Sequence, residues 1–274
     1  MRGWCRADAH AHLADGARLA GASRHPPMKL AILTDLHANR EAIEAVLEHA
    51  AAHGVGEYAL LGDFVGYGAD PGWTVDLARE LVAAGAIAVL GNHDAATVTG
   101  PRPDMRPEPR LVIEWTRAQL DEAQLAFLAG LPLVQTRDRL LFVHANAWDP
   151  EGWGYILDRG EAVRSLQATR AHVTFCGHMH EPRLYHLSHT GKSGDFVPTP
   201  GVAIPLLPQR KWLAVPGATG QPRDGDPAAC YAVFDTRDST LTYWRVPYDH
   251  ETAGEKIRAA GLPPALAERL AYGV

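Results

Sequence analysis

"LTDLHANREA", residues 33–42, decides how this chain is read. Lys29–Thr34 is an apolar run of strand length. Asn39 is placed to cap a helix, because its side-chain oxygen can accept a backbone N–H of the first turn. Apolar residues then recur at Ala42, Ile43, Val46, Leu47 and Ala50, which is one face of a helix. Between strand and helix stand Asp35 and His37. Taking a carboxylate and an imidazole out of water is costly unless something compensates them. The stretch therefore calls for a compensating charge at the end of a buried strand.

The same arrangement recurs downstream. Glu57–Leu61 ends in Gly62-Asp63, and Asp70-Pro71 then opens a helix with proline in its first position. Ala86–Leu90 ends in Gly91-Asn92-His93-Asp94. Alternating strands and helices imply βαβ units and a parallel sheet. Residues 100–110, "GPRPDMRPEPR", read as a loop; helical pattern returns at Leu111, and Asp121 caps a further helix through Leu128. Val134–Gln135 and Leu140–Val143 form a hairpin that ends in His144, Gly160–Ala168 is helical, and Val173–Cys176 ends in Gly177-His178-Met179-His180. The strands around Leu184–Leu187, Trp212–Val215, Cys230–Phe234 and Thr240–Val246 read as a largely antiparallel sheet. The proline-rich residues 188–211 read as a long loop or small hairpin, and Asp249–Leu270 as helices covering an edge or face.

Five strand ends thus carry metal-competent side chains. Ligands of such sheets bind at the carboxyl ends of the strands, which places these residues at one site although they span much of the chain. Carboxylate, imidazole and amide carbonyl without thiolate suit manganese, iron, zinc or nickel. A structural zinc site closes with four ligands, often cysteines. Asp35, His37, Asp63, Asn92, His144, His178 and His180 are too many for one ion and fit two that share a carboxylate. Two divalent metals can clamp the attacking and leaving oxygens of an in-line displacement, with a metal-bridging hydroxide as nucleophile. A histidine is then a suitable proton donor to the leaving oxygen.

The ordered set DxH, GD, GNHD, H, GHxH resembles the calcineurin-like metallophosphoesterase superfamily. The phrases "DLHANREAIEAVL", "GDFVGYGADP" and "PGATGQPRDGDPAACYAVFD" resemble its bacterial phosphodiesterase branch. The resemblance implies an α/β fold, a four-layer α/β/β/α sandwich of two mixed sheets flanked by helices, formed by residues 28–274 as a single domain. It implies that Asp35, His37 and His180 bind one metal, that Asn92, His144 and His178 bind the other, and that Asp63 bridges them. Manganese leads the candidate metals. His93 would act on the substrate phosphate, with Asp94 orienting it. Tyr67 and Arg223 are candidate substrate contacts, each with a plainer alternative: a packed aromatic in a glycine loop, and a turn with a surface ion pair. Two departures stand out: Ala38 replaces glycine after His37 and is small enough to be tolerated, while Val215 and Ala218 stand in place of the asparagine and serine of NPGSVGQPR, which spares the ligand set and bears on the substrate.

The implied activity is hydrolysis of phosphodiesters, small phosphorylated metabolites or nucleotides. A phosphoprotein phosphatase of the same superfamily would carry GDxxDRG and GNHE, where this chain has "GDFVGYG" and "GNHD". A silent scaffold on the same fold would have lost ligands, and none of the ligand positions is lost here. With 26 Lys and Arg against 32 Asp and Glu, the net charge is −6, which argues against a stable nucleic-acid complex held by phosphate neutralisation. No apolar stretch approaches the roughly 20 residues of a membrane span. Cys5, Cys176 and Cys230 are isolated, as expected in a reducing, cytoplasmic compartment. Cys176 reads as a small strand residue, and Trp115, Trp148 and Trp153 read as core. Residues 1–27 lack periodic pattern and read as a disordered extension, their His10 and His12 included.

Overall fold

The computed structural model describes residues 28–101 and 105–274. The reading of residues 1–27 as an extension lies outside the described residues. The first half runs β1 (Lys29–Leu33), α1 (Arg40–Ala52), β2 (Glu57–Leu60), α2 (Pro71–Ala83), β3 (Ile87–Ala88), α3 (Asn92–Thr99), α4 (Pro107–Ala118) and α5 (Glu122–Ala129). Next come β4 (Val134–Arg137), β5 (Leu140–Val143), α6 (Arg159–Gln167), β6 (Val173–Phe175), β7 (Arg183–Ser188), β8 (Ser193–Phe196) and β9 (Ala203–Pro205). The chain closes with β10 (Arg210–Val215), β11 (Ala229–Asp235), β12 (Thr240–Val246), α7 (His250–Ala259) and α8 (Pro264–Tyr272).

Among the described residues the strands form two six-stranded mixed sheets, ordered β3-β2-β1-β11-β12-β9 and β4-β5-β6-β10-β7-β8. β1, β2 and β3 run parallel, as the alternating pattern requires. Strand residues alternate between two apolar layers, which is why these segments read as continuous apolar runs. Leu30 and Ile32 face the layer between the sheets, with Phe142, Phe175, Trp212 and Phe234. Ala31 and Leu33 face α1 and α2, with Ile43, Val46 and Val75. On the far side, Leu141, Val143 and Leu213 pack under Ala162 and Leu166 of α6. Helix, sheet, sheet and helix make the four-layer sandwich.

Three expectations need correction. The later strands do not form a sheet of their own: β11 pairs antiparallel with β1 and carries β12 and β9 into the first sheet, and β6 lies parallel to both β5 and β10. Period-2 pattern reveals a strand but not its partner. Residues 188–211 are not mere loop, because they supply β8 to the edge of one sheet and β9 to the edge of the other. α4 begins at Pro107, inside the stretch expected as loop. Its prolines occupy the first turn, where a missing N–H costs no helical hydrogen bond.

Asn39 caps α1 by accepting from Ala42 N at 3.2 Å, and Asp121 and Gln124 form a reciprocal capping box on α5. Asp70 precedes α2, but its carboxylate takes Lys256 Nζ at 2.9 Å instead of capping the helix. Lys256 also contacts Glu41, so α7 is tied to α1 and to the segment entering α2. α7 and α8 bury Ile257, Leu266 and Leu270 against Val112, with Tyr67 and Ala69 packed at the edge. The C-terminal helices therefore brace the loop that follows Asp63.

Phe175 is fully buried between the sheets, 5.5 Å from the Phe142 ring and 5.7 Å from Phe234. Phe175→Ala should destabilise the fold by about 3–5 kcal/mol in urea unfolding. A loss below about 1 kcal/mol would contradict a tightly packed inter-sheet layer.

Candidate metal centre

The turns after the strands are held in costly backbone. Asp35, His37, Asp63, His178 and His180 have φ of 53°, 47°, 53°, 69° and 60°. Left-handed geometry costs a non-glycine residue about 1–2 kcal/mol, so surrounding contacts must enforce it. Part of that enforcement comes from strand-end hydrogen bonds: Asp35 N to Gly62 O at 3.1 Å, His37 N to Asp63 O at 2.8 Å, and Gly177 N to His144 O at 2.7 Å. Glycines allow the close approach. A Cβ on Gly91 would overlap Asp63, and one on Gly177 would overlap Thr34 Oγ1.

Two trios of side chains converge on these turns: Asp35, His37 and His180, and Asp63, His144 and His178, all buried. In the first, His180 Nε2 lies 3.2 Å from Asp35 Oδ1 and 3.2 Å from His37 Nε2. In the second, His144 Nε2 lies 3.4 Å from Asp63 Oδ2, 3.2 Å from His178 Nδ1 and 3.0 Å from Asn92 Oδ1. Asp63 faces both trios, since its Oδ2 is also 3.8 Å from His37 Nε2.

The outer contacts decide which ring nitrogens carry hydrogen. Nδ1 of His37, His144 and His180 sits 3.2, 2.7 and 2.6 Å from the carbonyls of Val65, Leu61 and Gln221. His178 is reversed, with Nε2 3.0 Å from Trp153 O. Each imidazole donates outward, so the nitrogens facing one another inside present lone pairs. Lone pairs, carboxylate oxygens and an amide oxygen at about 3 Å repel unless positive charge lies among them. The donor set and its outer carbonyls fit divalent metals: Asp35, His37 and His180 could hold one ion, and Asp63, His144 and His178, with Asn92 beside them, a second.

Electrostatics lead to the same demand. Burial pushes the Asp35 and Asp63 carboxyls up, but the facing histidines prevail and hold both below the usual carboxylate range. Burial draws His37 well down and His178 to about 4. Burial also opposes charge on His144, yet Asp63 and Asp35 hold it up at about 9. Asp63 and Asp35 thus favour positive charge beside them at His144.

His93 is the second residue of α3, and its backbone N–H donates to Asp63 Oδ1 at 2.8 Å. Its ring centroid lies 5.0 Å from that of His37 and 4.5 Å from that of Tyr67. Asp94 acts on backbone: its carboxylate accepts from Gly91 N at 3.0 Å and Val65 N at 3.2 Å, and no hydrogen bond joins it to the His93 ring. Asp94 fixes the turn on which His93 stands. Burial, then the Asp63 charge, raises its pKa to about 7. Tyr67 lies over His37 at 4.6 Å, and the Arg223 guanidinium sits 5.7 Å from the Tyr67 ring. Both candidate substrate contacts therefore border the centre, while Asp224 turns away to pair with Arg245.

Three bordering residues escape sequence reading. Trp153, expected as core, has a left-handed φ of 52° and turns its carbonyl to His178. Tyr155 stacks on the His178 ring at 4.1 Å. Gln221 holds His180 through its carbonyl and Arg223 through its side chain at 2.9 Å. The short run "EGWGY" at residues 151–155, after His144, was the one available signal, and no spacing rule interprets it. Cys176 is buried and its thiol is pushed up by burial, which suits a strand residue and not a nucleophile.

The model of the calcineurin-like phosphoesterase superfamily domain matches residues 28–239. The chain belongs to that superfamily. An uncharacterized protein of Methanocaldococcus jannaschii is 35% identical over 255 residues, covering 89% of this chain and 98% of its own length. The crystal structure of a metallophosphoesterase from Sphaerobacter thermophilus superposes with a TM-score of 0.81 at 35% identity, over 91% of this chain and 100% of that one. A hypothetical protein of Pyrococcus horikoshii shares the fold, with a TM-score of 0.70 at 16% identity over 90% of this chain and 98% of its own. The superfamily assignment makes the chain a phosphoester hydrolase by family and agrees with the two candidate metal-binding trios. Among the described residues no helix is long and apolar enough to cross a membrane.

Gly177→Ala should displace Asp35 and lower manganese affinity at least tenfold by calorimetry, with secondary structure retained by circular dichroism. Unchanged affinity would contradict the close packing of the two strand ends.

Proposed function

We propose that this protein is a dinuclear metal-dependent phosphoesterase of the cytoplasm, formed by residues 28–274 as one domain, that hydrolyses phosphodiesters or small phosphorylated metabolites and nucleotides. The observation that carries this is the pair of inward-facing trios with Asp63 between them. Manganese leads the candidate metals, ahead of iron, zinc and nickel, because the set is oxygen and imidazole without thiolate. Bound there, the two cations supply charge neutralisation for the phosphate and a nucleophilic water at neutral pH.

The chain's own residues do the rest. Asp35, Asp63, Asn92 and the four inner histidines hold the centre, with ring orientations set by backbone carbonyls. His93, beside Asp63 but outside both trios, donates to the substrate. As water adds to phosphorus and the ester P–O bond breaks, the electron pair leaves with the ester oxygen, which takes a proton from His93. Tyr67 and Arg223 form one wall, and the guanidinium is suited to a non-bridging phosphate oxygen. Free, buried Cys176 and Cys230 suit a reducing compartment.

Hydrolysis of bis(4-nitrophenyl) phosphate and of 4-nitrophenyl phosphate, with manganese and then with chelator, tests this. The diester should turn over with manganese and not with chelator. His93→Ala should lower kcat by roughly 10²–10⁴-fold while manganese binding persists. Folded protein inactive with manganese, iron, zinc and nickel alike would overturn the proposal. Preference for the monoester would move the substrate to small phosphorylated metabolites.

A further inference from the structure

The two flanks of the centre differ. On the His178 side, Tyr155 stacks on the imidazole at 4.1 Å and covers it. On the His93 side a cavity of about 170 Å³, open to solvent, lies between α4 and α8. Tyr67, His93, Pro109, Val112, Ile113 and Leu266 form its walls. Val112, Ile113 and Leu266 are buried at 4%, 6% and 2% exposure, so these walls are built into the packing of the two helices. Glu108 and Arg269, both exposed, complete the lining. Neither side chain has a hydrogen-bond or ion-pair partner among the described residues.

We infer that this cavity is the leaving-group subsite, and that it selects an uncharged alcohol with a ring-sized apolar body and a polar edge. The inference rests on the proposal that His93 donates to the leaving oxygen. An ester oxygen within reach of His93 projects its substituent away from the trios and into this cavity. The walls offer apolar surface and the Tyr67 ring, which an aromatic or alicyclic body would cover. Glu108 and Arg269 oppose each other in charge. A net anion gains at one and loses at the other, whereas a neutral edge with a donor and an acceptor is served by both. A methyl- or ethyl-sized group would leave the apolar walls wet and gain little.

Binding tests the subsite without turnover. Calorimetry on the manganese-loaded full chain compares ethylphosphonate with 2-phenylethylphosphonate, which share a headgroup and differ in the body. The phenylethyl compound should bind about tenfold or more tightly, as burial of a ring requires. Pro109→Trp and Arg269→Trp fill the cavity from opposite walls at exposed positions, and melting curves check their folding. Each should bring the affinity ratio to within about twofold of one. Equal affinities in the unmodified protein, or a ratio that survives both substitutions, would overturn the subsite. Turnover of the aryl diester is measured on the same preparation. A retained ratio without turnover refutes the phosphoesterase proposal and leaves the cavity as a ligand site; turnover with a flat ratio refutes the subsite alone.

Discussion

Lone pairs pressed together inside a buried cluster govern much of this molecule. Four imidazoles donate outward to the carbonyls of Leu61, Val65, Trp153 and Gln221, and thereby turn their remaining nitrogens toward Asp35, Asp63, Asn92 and each other. Protein groups alone would relieve that repulsion only by taking up protons, and the raised pKa of His144 expresses the same demand. Divalent cations held by the two trios would relieve it at both. The left-handed turns at Asp35, His37, Asp63, His178 and His180 are the backbone side of the arrangement. Strain of this kind persists where the surroundings over-determine the conformation, and here hydrogen bonds between adjoining strand ends do so.

The sandwich exists in large part to bring those ends together. β1 and β2 lie in one sheet, β5 and β6 in the other. Facing layers of apolar side chains hold the sheets in register, and the close approach of Gly177 to Thr34 links the carboxyl end of β6 to that of β1 across them. The C-terminal helices add a second brace. Through Lys256 on Glu41 and Asp70, and through the apolar contacts near Tyr67, they steady the loop that sets the wall beside His93. In this way the final 25 residues, 250–274, touch the site although none of them is a ligand.

The asymmetry of the two flanks gives the centre a direction. Tyr155 closes the His178 side, and the α4–α8 cavity opens beside His93. His93, the proposed proton donor, and the cavity proposed for the leaving group therefore lie on one side, with the Arg223–Tyr67 wall adjoining them.

The sequence by itself determined which strand-end residues converge on the candidate centre, and the parallel β1–β2–β3 unit. Apolar runs that end in Asp, His or Asn are local features, and buried polar groups at strand ends point to a shared site whatever the sheet order. Caps at Asn39 and Asp121 were equally legible, because a cap depends on a side chain and an amide three residues away. Tertiary structure decided the rest. β11 paired with β1, and β8 and β9 went to different sheets, because period-2 pattern marks a strand's faces and not its neighbours. Asp94 served the turn under His93 and not its ring, since carboxylates accept from whichever donors packing supplies. Trp153, Tyr155 and Gln221 joined the site through chain geometry, a carbonyl here and a stacked ring there. Backbone carbonyls are the same in every residue, so no residue type announces the one that will orient a histidine.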